Sequence, residues 1–382
     1  MSNILKPLKT ERYPNQFLYV GMDIHKDNHT ACLTNCFGQV LLEKEIKNSK
    51  EDFGQLAKRV ERLSKEGGLK PIFGLEDSYG NGLRLATFLK RQRFEVKMVS
   101  PVLVDRERKY ETHPEKSDSL DALGVAKVLI QRIDSLPNYS ITPEDELSKE
   151  IKELVLDREF LVKEQTRLKN QLHYILHKSY GSNYRQLFKG TFSLKALKYW
   201  HRYPLPKKSL DDGLINCRAI LKNQIRRKIK RLLTIKQEIK QINQESEALI
   251  QEMGQKVETM PGCGKILAAA VLAEVRNINR FNSPNSLAKY AGLCPKEKSS
   301  GKSRKHLKSQ SGNRRLNKAI HRIALSQISR YGNPHAKEYF QRKISEGKTK
   351  TQALRCLKRR LCDIIYMMLK YRTEYIYHKV TI

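Results

Sequence analysis

Residues 17–46 read FLYVGMDIHKDNHTACLTNCFGQVLLEKEI and decide the fold of the first part of the chain. Residues 17–22 form an apolar run that ends in Asp23, and a polar turn through Lys26 follows, which is typical of a buried strand leading into a hairpin. Residues 30–34 and 40–46 are two further strand-like runs. The sequence therefore predicts a three-stranded meander.

Strands and helices alternate after this meander. A helix is predicted to begin at Ser49, because apolar residues recur at three- and four-residue spacing until Gly67 and Gly68 stop it. The chain then predicts a strand over residues 71–76, a helix with Leu85 and Leu89 on one face, and a strand over residues 94–98 that Pro101 closes. A last helix starts at Ser117. The order β-β-β-α-β-α-β-α is that of a ribonuclease-H-like α/β fold.

Four carboxylates are predicted to meet in this fold. Asp23 and Glu76 end strands that would lie side by side, whereas Asp118 and Asp121 share a face in the first turn of the last helix, with Cβ atoms roughly 5 to 6 Å apart. Magnesium prefers such hard oxygen ligands. Two divalent ions about 3.5 to 4 Å apart would neutralise the charge that develops in phosphodiester exchange. One aspartate at a strand end is more often a turn or cap residue, so the prediction depends on the joint placement.

The charge balance points to a polyanionic partner, because 74 Lys and Arg residues face 40 Asp and Glu residues in 382 residues, a net charge of +34. Hydrophobic residues at 39% are enough for real cores. The sequence shows no signal-peptide pattern and no apolar run of about 18 residues, so secreted and membrane classes are disfavoured and a cytoplasmic, nucleoid-associated protein is expected. The seven scattered cysteines fit a reducing compartment.

A zinc site is a weaker alternative near the N-terminus. His25, His29, Cys32 and Cys36 are close in sequence, but their spacing matches no common zinc pattern. The two cysteines are more simply explained as small strand or turn residues.

The middle of the chain predicts two long helices with coiled-coil spacing. Their apolar positions are Leu147, Ile151, Leu154, Leu161, Leu168, Leu172 and Ile175 in the first helix, and Leu221, Ile225, Leu232, Ile235, Ile239, Ile242 and Leu249 in the second. The helices would pair as a hairpin or across subunits. Residues 221–240 hold eight basic residues and one acidic residue, so this surface is either a phosphate-tracking face or a solvated one.

The last third is basic and carries glycine-containing turns. Residues 260–265 form a Pro-Gly turn before an apolar helix, as found between paired helices that grip a DNA backbone, although such turns are common. Residues 296–322 hold ten Lys or Arg against one Glu around Ser299-Ser300-Gly301 and Ser311-Gly312-Asn313. The predicted nucleic-acid contacts are Lys265, Lys296, Lys298, Lys302, Arg304, Lys305, Lys308, Arg314 and Arg315.

Taken in order, these motifs resemble the DEDD transposases of the insertion sequence 110 family, the bridge-RNA-guided serine recombinases. The resemblance covers nearly the full chain. The N-terminal motifs are residues 20–26 (VGMDIHK), 74–77 (GLED) and 116–122 (KSDSLDA). The C-terminal motifs are residues 260–264 (MPGCG), 290–295 (YAGLCP), 300–301 (SG) and 312–316 (GNRRL).

The resemblance implies three parts: a RuvC-like domain over residues 1–142, a coiled-coil helical linker over residues 143–254, and a mainly helical transposase domain over residues 255–382 with a helix-hairpin-helix-like turn. It implies that Asp23, Glu76, Asp118 and Asp121 are catalytic and bind Mg²⁺. Ser300, which directly precedes glycine, is the implied nucleophile, with Ser299 as the alternative. A serine needs activation by a nearby base or metal, so the acidic and serine parts would form one composite site.

The resemblance also implies the partners: donor DNA, target DNA, a structured bridge RNA that carries the sequence specificity, and further copies of the chain as dimers that assemble into tetramers. Two other hypotheses stay open. In the first, the protein is a RuvC-like nuclease or resolvase in which Ser300 only binds phosphate. In the second, it is a noncatalytic nucleic-acid scaffold.

Overall fold

The structure is a computed structural model, and it describes residues 13–76, 80–110, 117–139, 142–206, 218–300, 303–307 and 312–376. The chain divides into two compact units, Met1–Ile141 and Thr142–Ile382. The finer division into residues 1–142, 143–254 and 255–382 stays a prediction.

The first unit alternates strands and helices. After a 3-10 turn at Pro14–Gln16, its elements are β1 (Phe17–Ile24), β2 (Asn28–Thr34), β3 (Val40–Lys47), α1 (Lys50–Gly67), β4 (Lys70–Glu76), α2 (Leu83–Arg91), β5 (Glu95–Val99), α3 (Pro101–Arg108) and α4 (Asp118–Arg132). The order follows the sequence prediction except for α3, where only the end of a strand was expected. Pro101 is the first residue of that helix. Proline is favourable there because the N–H that it lacks would have no partner within the helix.

The strands form one five-stranded sheet in the order β3-β2-β1-β4-β5. β1 pairs antiparallel with β2, and β2 pairs antiparallel with β3, which confirms the predicted meander. β1 pairs parallel with β4, and β4 pairs parallel with β5. This order and these directions are those of a ribonuclease-H-like sheet, so the fold prediction is confirmed.

Helix α4 packs directly on β1 and β4 because two paired glycines leave room for it. A Cβ atom on Gly21 would lie 2.1 Å from the carbonyl oxygen of Ala122, and one on Gly74 would lie 2.6 Å from Leu129. Glycine in a strand interior commonly marks such a close approach. The opposite face of the sheet packs against α1 and α2 through an apolar core that includes Phe53.

Among its described residues, the second unit is helical apart from one antiparallel strand pair. Its elements are α5 (Pro143–Tyr180), α6 (Leu194–Arg202), α7 (Arg218–Met253), α8 (Lys265–Val275), α9 (Pro284–Tyr290), β6 (Lys296–Ser300), β7 (Ser303–Leu307), α10 (Arg314–Ile328), α11 (Pro334–Ser345) and α12 (Lys350–Tyr371), with 3-10 turns at Ser182–Arg185, Val257–Thr259 and Ile278–Arg280. In the described ranges, no helix combines the length and apolar character needed to cross a bilayer.

Helices α5 and α7 pack along each other within the chain. One part of the pair surrounds Trp200 with predicted heptad residues, such as Leu172 of α5 and Ile225 of α7. Another part shares a core with the C-terminal helices, since Ile151 and Ile250 pack in the same cluster as residues of α8, α10 and α12. The predicted coiled-coil spacing therefore produces an intrachain helix pair that also supports the C-terminal helices.

Candidate active site

Strand register and a helix cap bring the acidic residues to one end of the sheet. Asp23 is the register partner of Glu76 in the parallel β1–β4 ladder. Side chains two residues apart on a strand point to the same face, so Asp23 follows Gly21 on the face that α4 covers. Ser117 caps α4 by accepting a hydrogen bond from the Leu120 amide, which places Asp118 and Asp121 in the first turn.

Three side chains converge closely at this end of the sheet: Asp23, His25 and Asp118. The Nε2 atom of His25 lies 3.1 Å from Oδ2 of Asp23 and 3.3 Å from Oδ1 of Asp118. One ligand atom from each residue lies within 4.8 Å of the others. Asp23 is buried, whereas 52% of the His25 side chain and 62% of the Asp118 side chain are exposed. The site is therefore anchored at the sheet and open toward solvent.

Asp121 is engaged by an arginine from α3. Its Oδ1 atom accepts a hydrogen bond from Arg108 at 3.0 Å, and Arg108 also binds Asp105 at 2.8 Å. Sequence reasoning missed this arginine because it missed α3. Ser100 followed by Pro101 was the available signal, since proline at the first helical position after an extended residue is typical of a helix start.

The surroundings of Asp23 raise its proton affinity. Burial raises the pKa of Asp23 above its usual value, and the charges of Asp121 and Asp118 add to this, while His25 opposes it. Burial alone would lower the pKa of His25, but its contacts with Asp23 and Asp118 outweigh burial, so the His25 pKa is raised. Concentrated negative charge with carboxylate oxygens and an imidazole nitrogen is a donor set that suits a divalent cation.

The zinc alternative gains no support from this region. His29 is fully buried in β2 and stacks on Phe53, with ring centroids 5.9 Å apart. Cys32 is buried as well, and burial together with the nearby Glu43 raises its pKa to about 11. Among the described residues, His29, Cys32 and Cys36 do not gather into a common ligand group. Their burial and packing fit the simpler interpretation as strand residues.

The predicted serine lies at the end of the only regular strand pair assigned to the described residues of the second unit. Ser299 and Ser300 are the last two residues of β6, and Ser300 pairs with Ser303 of β7. The side chains of these strands, including those of Lys296, Lys298, Arg304 and Lys305, and all of Lys302 and Lys308, lie outside the described residues. The backbone alone places the candidate nucleophile at the last position of β6, opposite Ser303 of β7.

The chain on either side of the hairpin is held together at its base. A Cβ atom on Gly312 would lie 2.5 Å from the amide nitrogen of Gly292, so the two loops touch. The Asn313 amide donates to the carbonyl of Tyr290 at 2.6 Å. The Asn313 side chain donates to the buried carboxylate of Glu274 at 2.5 Å and to the Tyr290 hydroxyl at 3.0 Å. The segment after the hairpin is thus tied to the segment before it.

Three of the residues predicted to contact nucleic acid, Lys265, Arg314 and Arg315, have side chains that the structure describes, and their surroundings differ. Lys265 binds Glu247, and Arg315 lies 3.9 Å from Glu159. Arg314 lines a groove of about 990 Å³ between α10, α11 and α12. The other Lys and Arg residues that line this groove are Lys318, Lys343, Lys348, Arg355, Lys358, Arg359 and Arg360. Sequence reasoning missed most of them because they come from three helices and form no local motif.

The sheet, the acidic cluster and the basic helical unit fit the class of enzymes that cut or exchange nucleic-acid strands, and comparisons with known proteins place the chain more closely. A DEDD-type IS110 family model, described as "Transposase", matches residues 20–180. A second model, described as "Transposase IS116/IS110/IS902 family", matches residues 254–341. Together the two matches cover more than half of the chain. The chain belongs to the IS110 family of transposases.

Individual relatives agree with this assignment. The Insertion element IS110 uncharacterized 43.6 kDa protein of Streptomyces coelicolor is 23% identical over 94% of this chain and 95% of its own length. A Pilin gene-inverting protein of Moraxella bovis is 33% identical over 29% of this chain and 35% of its own. Among solved structures, T. thermophilus RuvC in complex with a Holliday junction substrate is 13% identical and covers 32% of this chain and 99% of that chain, with a TM-score of 0.25. The family and the acidic cluster together suggest that the enzyme uses a divalent metal.

Proposed function

We propose that this transposase excises and inserts its element by RNA-guided DNA strand exchange, with Ser300 as the nucleophile and Asp23, Glu76, Asp118 and Asp121 as the ligands of Mg²⁺. The observation that carries the proposal is the β1–β4 register, which pairs Asp23 with Glu76 beside the first turn of α4. A nuclease would need no more than this metal site. The serine is the additional element that permits rejoining.

The chemistry follows from the two residue types. Ser300 attacks a phosphodiester, so an Oγ–P bond forms while the bond from phosphorus to the leaving deoxyribose oxygen breaks. The serine proton passes to a base, and the acidic residues are the candidates for that role. Bound Mg²⁺ would neutralise charge on the phosphoryl oxygens. The phosphoserine link conserves the energy of the broken bond, so a second DNA end can displace the serine without hydrolysis.

The net charge and the similarity to known proteins support the proposal that the protein binds nucleic acids. The net charge of +34 suits several DNA segments and a structured RNA. For duplex DNA, the logarithm of the affinity should fall with the logarithm of the salt concentration, with a slope of about 0.9 per neutralised phosphate. The Moraxella relative is named for gene inversion, and inversion requires that cut ends be rejoined. This favours a recombinase over a nuclease.

Exchange of two duplexes needs several protomers. We propose a dimer that assembles into a tetramer on donor and target DNA, with the bridge RNA pairing with both. Omitting the RNA should abolish sequence-specific exchange while leaving salt-sensitive, nonspecific DNA binding intact. Exchange at the same sites without RNA would reject the guided mechanism.

The test of the nucleophile compares Ser300→Ala with Ser299→Ala in a strand-exchange assay with purified protein, RNA and both DNA substrates. Ser300→Ala should abolish exchange, and Ser299→Ala should retain it. If Ser300→Ala cuts DNA as well as wild type does, and both proteins yield only nicked and no exchanged DNA, the protein is a nuclease. If Asp121→Asn leaves excision unchanged, the scaffold hypothesis gains and the catalytic role of the acidic site is rejected.

A further inference from the structure

We propose that His25 is a nitrogen ligand of the divalent metal that Asp23 and Asp118 hold. The inference rests on the proposed metal role of the acidic site and adds a residue outside the four carboxylates. The Nε2 atom of His25 lies within 3.3 Å of an oxygen atom of each of these two carboxylates.

The backbone directs His25 toward the metal position. Gly21, Asp23 and His25 alternate along β1 and its end, so their side chains share the face covered by α4. Gly21 contacts Ala122, and Asp118 lies one helical turn before Ala122 on the same side of α4. His25, two positions after Asp23, therefore lies next to the first turn of α4.

The turn that carries His25 is fixed by several backbone contacts. The His25 amide donates to the carbonyl of Asn28 at 3.2 Å, which closes the β1–β2 turn. Asn48 holds the same turn from the other side. Its backbone amide donates to the backbone carbonyl of Asp27 at 2.8 Å, and its side-chain amide donates to the backbone carbonyl of Lys26 at 3.0 Å. These contacts set the position of the imidazole without using the imidazole itself.

The distances between donor atoms fit an octahedral ion. Mg²⁺ holds oxygen ligands at 2.0–2.1 Å, so two neighbouring ligands of an octahedron are about 3 Å apart. The separations from His25 Nε2 to the two carboxylate oxygens are 3.1 Å and 3.3 Å. The same nitrogen faces both oxygens, and its single N–H cannot point along both directions at once. A cation bound between His25 Nε2 and the two carboxylate oxygens would be coordinated by all three atoms at once.

An imidazole ligand changes which metal the site prefers. Nitrogen is a softer donor than a carboxylate oxygen, and Mg²⁺ is the ion that holds most strictly to oxygen ligands and water, whereas Mn²⁺ is a first-row transition-metal ion. Since about half of the His25 side chain is exposed, the ion would keep open positions for water or a phosphate oxygen. We therefore expect the intact protein to bind Mn²⁺ more tightly than Mg²⁺, and this preference to become smaller when His25 is replaced.

The test is pulsed electron paramagnetic resonance of Mn²⁺ bound to the intact, nucleic-acid-free protein, which detects nitrogen coordinated directly to the ion. Wild type and the control His201→Ala, whose histidine is exposed on α6, should both show a directly coordinated nitrogen. His25→Ala should lose this signal. A second variant, His25→Asn, keeps a polar side chain but offers no imidazole, and it should lose the signal as well.

A Mn²⁺ titration accompanies the spectra. His25→Ala should weaken Mn²⁺ binding by at least about tenfold, because even the loss of an outer partner of a metal ligand costs 10 to 100-fold. If wild type binds Mn²⁺ with no nitrogen signal, or the signal persists in His25→Ala, the inference is rejected while the carboxylate site stands. If wild type binds no divalent metal and Asp23→Asn changes nothing, both the inference and the proposed metal site are rejected.

Discussion

The two candidate halves of the catalytic machinery are built in different ways. The carboxylates of the first unit are fixed by a paired register and by the cap of α4. The serine of the second unit is at the end of β6, and in the described residues β6 pairs only with β7. An isolated two-stranded hairpin is marginally stable in water, so its geometry depends on how its base is held. The candidate metal half is preformed by the sheet, whereas the strand pair that carries the candidate nucleophile is tied to its own unit through the Gly292–Gly312 contact and Asn313.

The largest effect is expected where α4 touches the sheet. Gly21→Ala would put a Cβ atom 2.1 Å from the Ala122 carbonyl and 2.5 Å from the Ala126 amide, so α4 must move away from β1. Because backbone atoms cannot yield as side chains do, the free energy of unfolding should fall by about 3 kcal/mol or more, at or above the usual range for overpacking. Denaturant unfolding measures the loss, and metal titration should show weakened binding because Asp118 moves with the helix.

The matched control for this change is Gly54→Ala in α1, where an added Cβ meets no atom within 4 Å. This variant should be as stable as wild type or more stable, by up to about 1 kcal/mol, since alanine favours helix over glycine. Equal stability of Gly21→Ala and Gly54→Ala would show that the sheet does not position α4 in the way described.

A smaller effect is expected at the base of the hairpin. Gly312 has a φ of +106°, and a Cβ atom there would lie 2.5 Å from the Gly292 amide and 2.9 Å from the Tyr290 carbonyl. Gly312→Ala should therefore cost about 1–3 kcal/mol in strain and separate the two loops. The rate of strand exchange should drop while Mn²⁺ binding stays unchanged.

Gly347→Ala separates backbone strain from loop contact. Its φ is +81°, yet no atom lies within 4 Å of the added Cβ, so this variant carries the backbone strain alone. Its strand-exchange rate should match that of wild type. If Gly312→Ala also exchanges strands at the wild-type rate, the loop contact does not position the serine.

The smallest effect is expected at Arg108. Arg108→Ala removes the guanidinium that binds Asp121, so Asp121 becomes free to hold a cation. Divalent-metal affinity should rise by a few-fold, since a unit positive charge about 8 Å from a divalent cation opposes it by about 1 kcal/mol in water and by more when partly buried. Isothermal titration measures this change. Arg106→Ala, an exposed arginine of the same helix, is the control and should leave metal affinity unchanged. A lower affinity in Arg108→Ala would mean that the arginine orients Asp121 as a ligand instead of competing with a metal.

Sequence reasoning reached the sheet and the placement of its carboxylates because both follow from local patterns. The alternation of apolar runs predicts strand order in this fold, and Asp23 and Glu76 come at strand ends that the order makes neighbours. The contact of His25 with Asp23 and Asp118 was missed because His25 was considered only as part of a zinc pattern with His29, Cys32 and Cys36. Arg108 was missed because Pro101 was interpreted as the end of a strand instead of the start of a helix.

Contacts between distant segments limited the prediction for the second unit. The heptad spacing predicted long paired helices but left open whether the partner was the same chain, because a hairpin and a dimer bury the same apolar residues. The basic groove combines α10, α11 and α12, so its charge density is visible only after folding. The buried link from Asn313 to Glu274 joins residues 39 positions apart and has no sequence motif.

The most direct test of the central claim is to map the covalent protein–DNA link. A reaction with wild type, bridge RNA and DNA would be quenched and digested with trypsin, and mass spectrometry would identify the modified residue within the peptide of residues 299–302. The account predicts a phosphoserine link at Ser300 that disappears in Asp118→Asn, a variant that keeps Ser300 but weakens the acidic site. Exchange that proceeds without any serine link, or a link at Ser300 that forms equally well in Asp118→Asn, would contradict the claim that the two halves act on one phosphodiester.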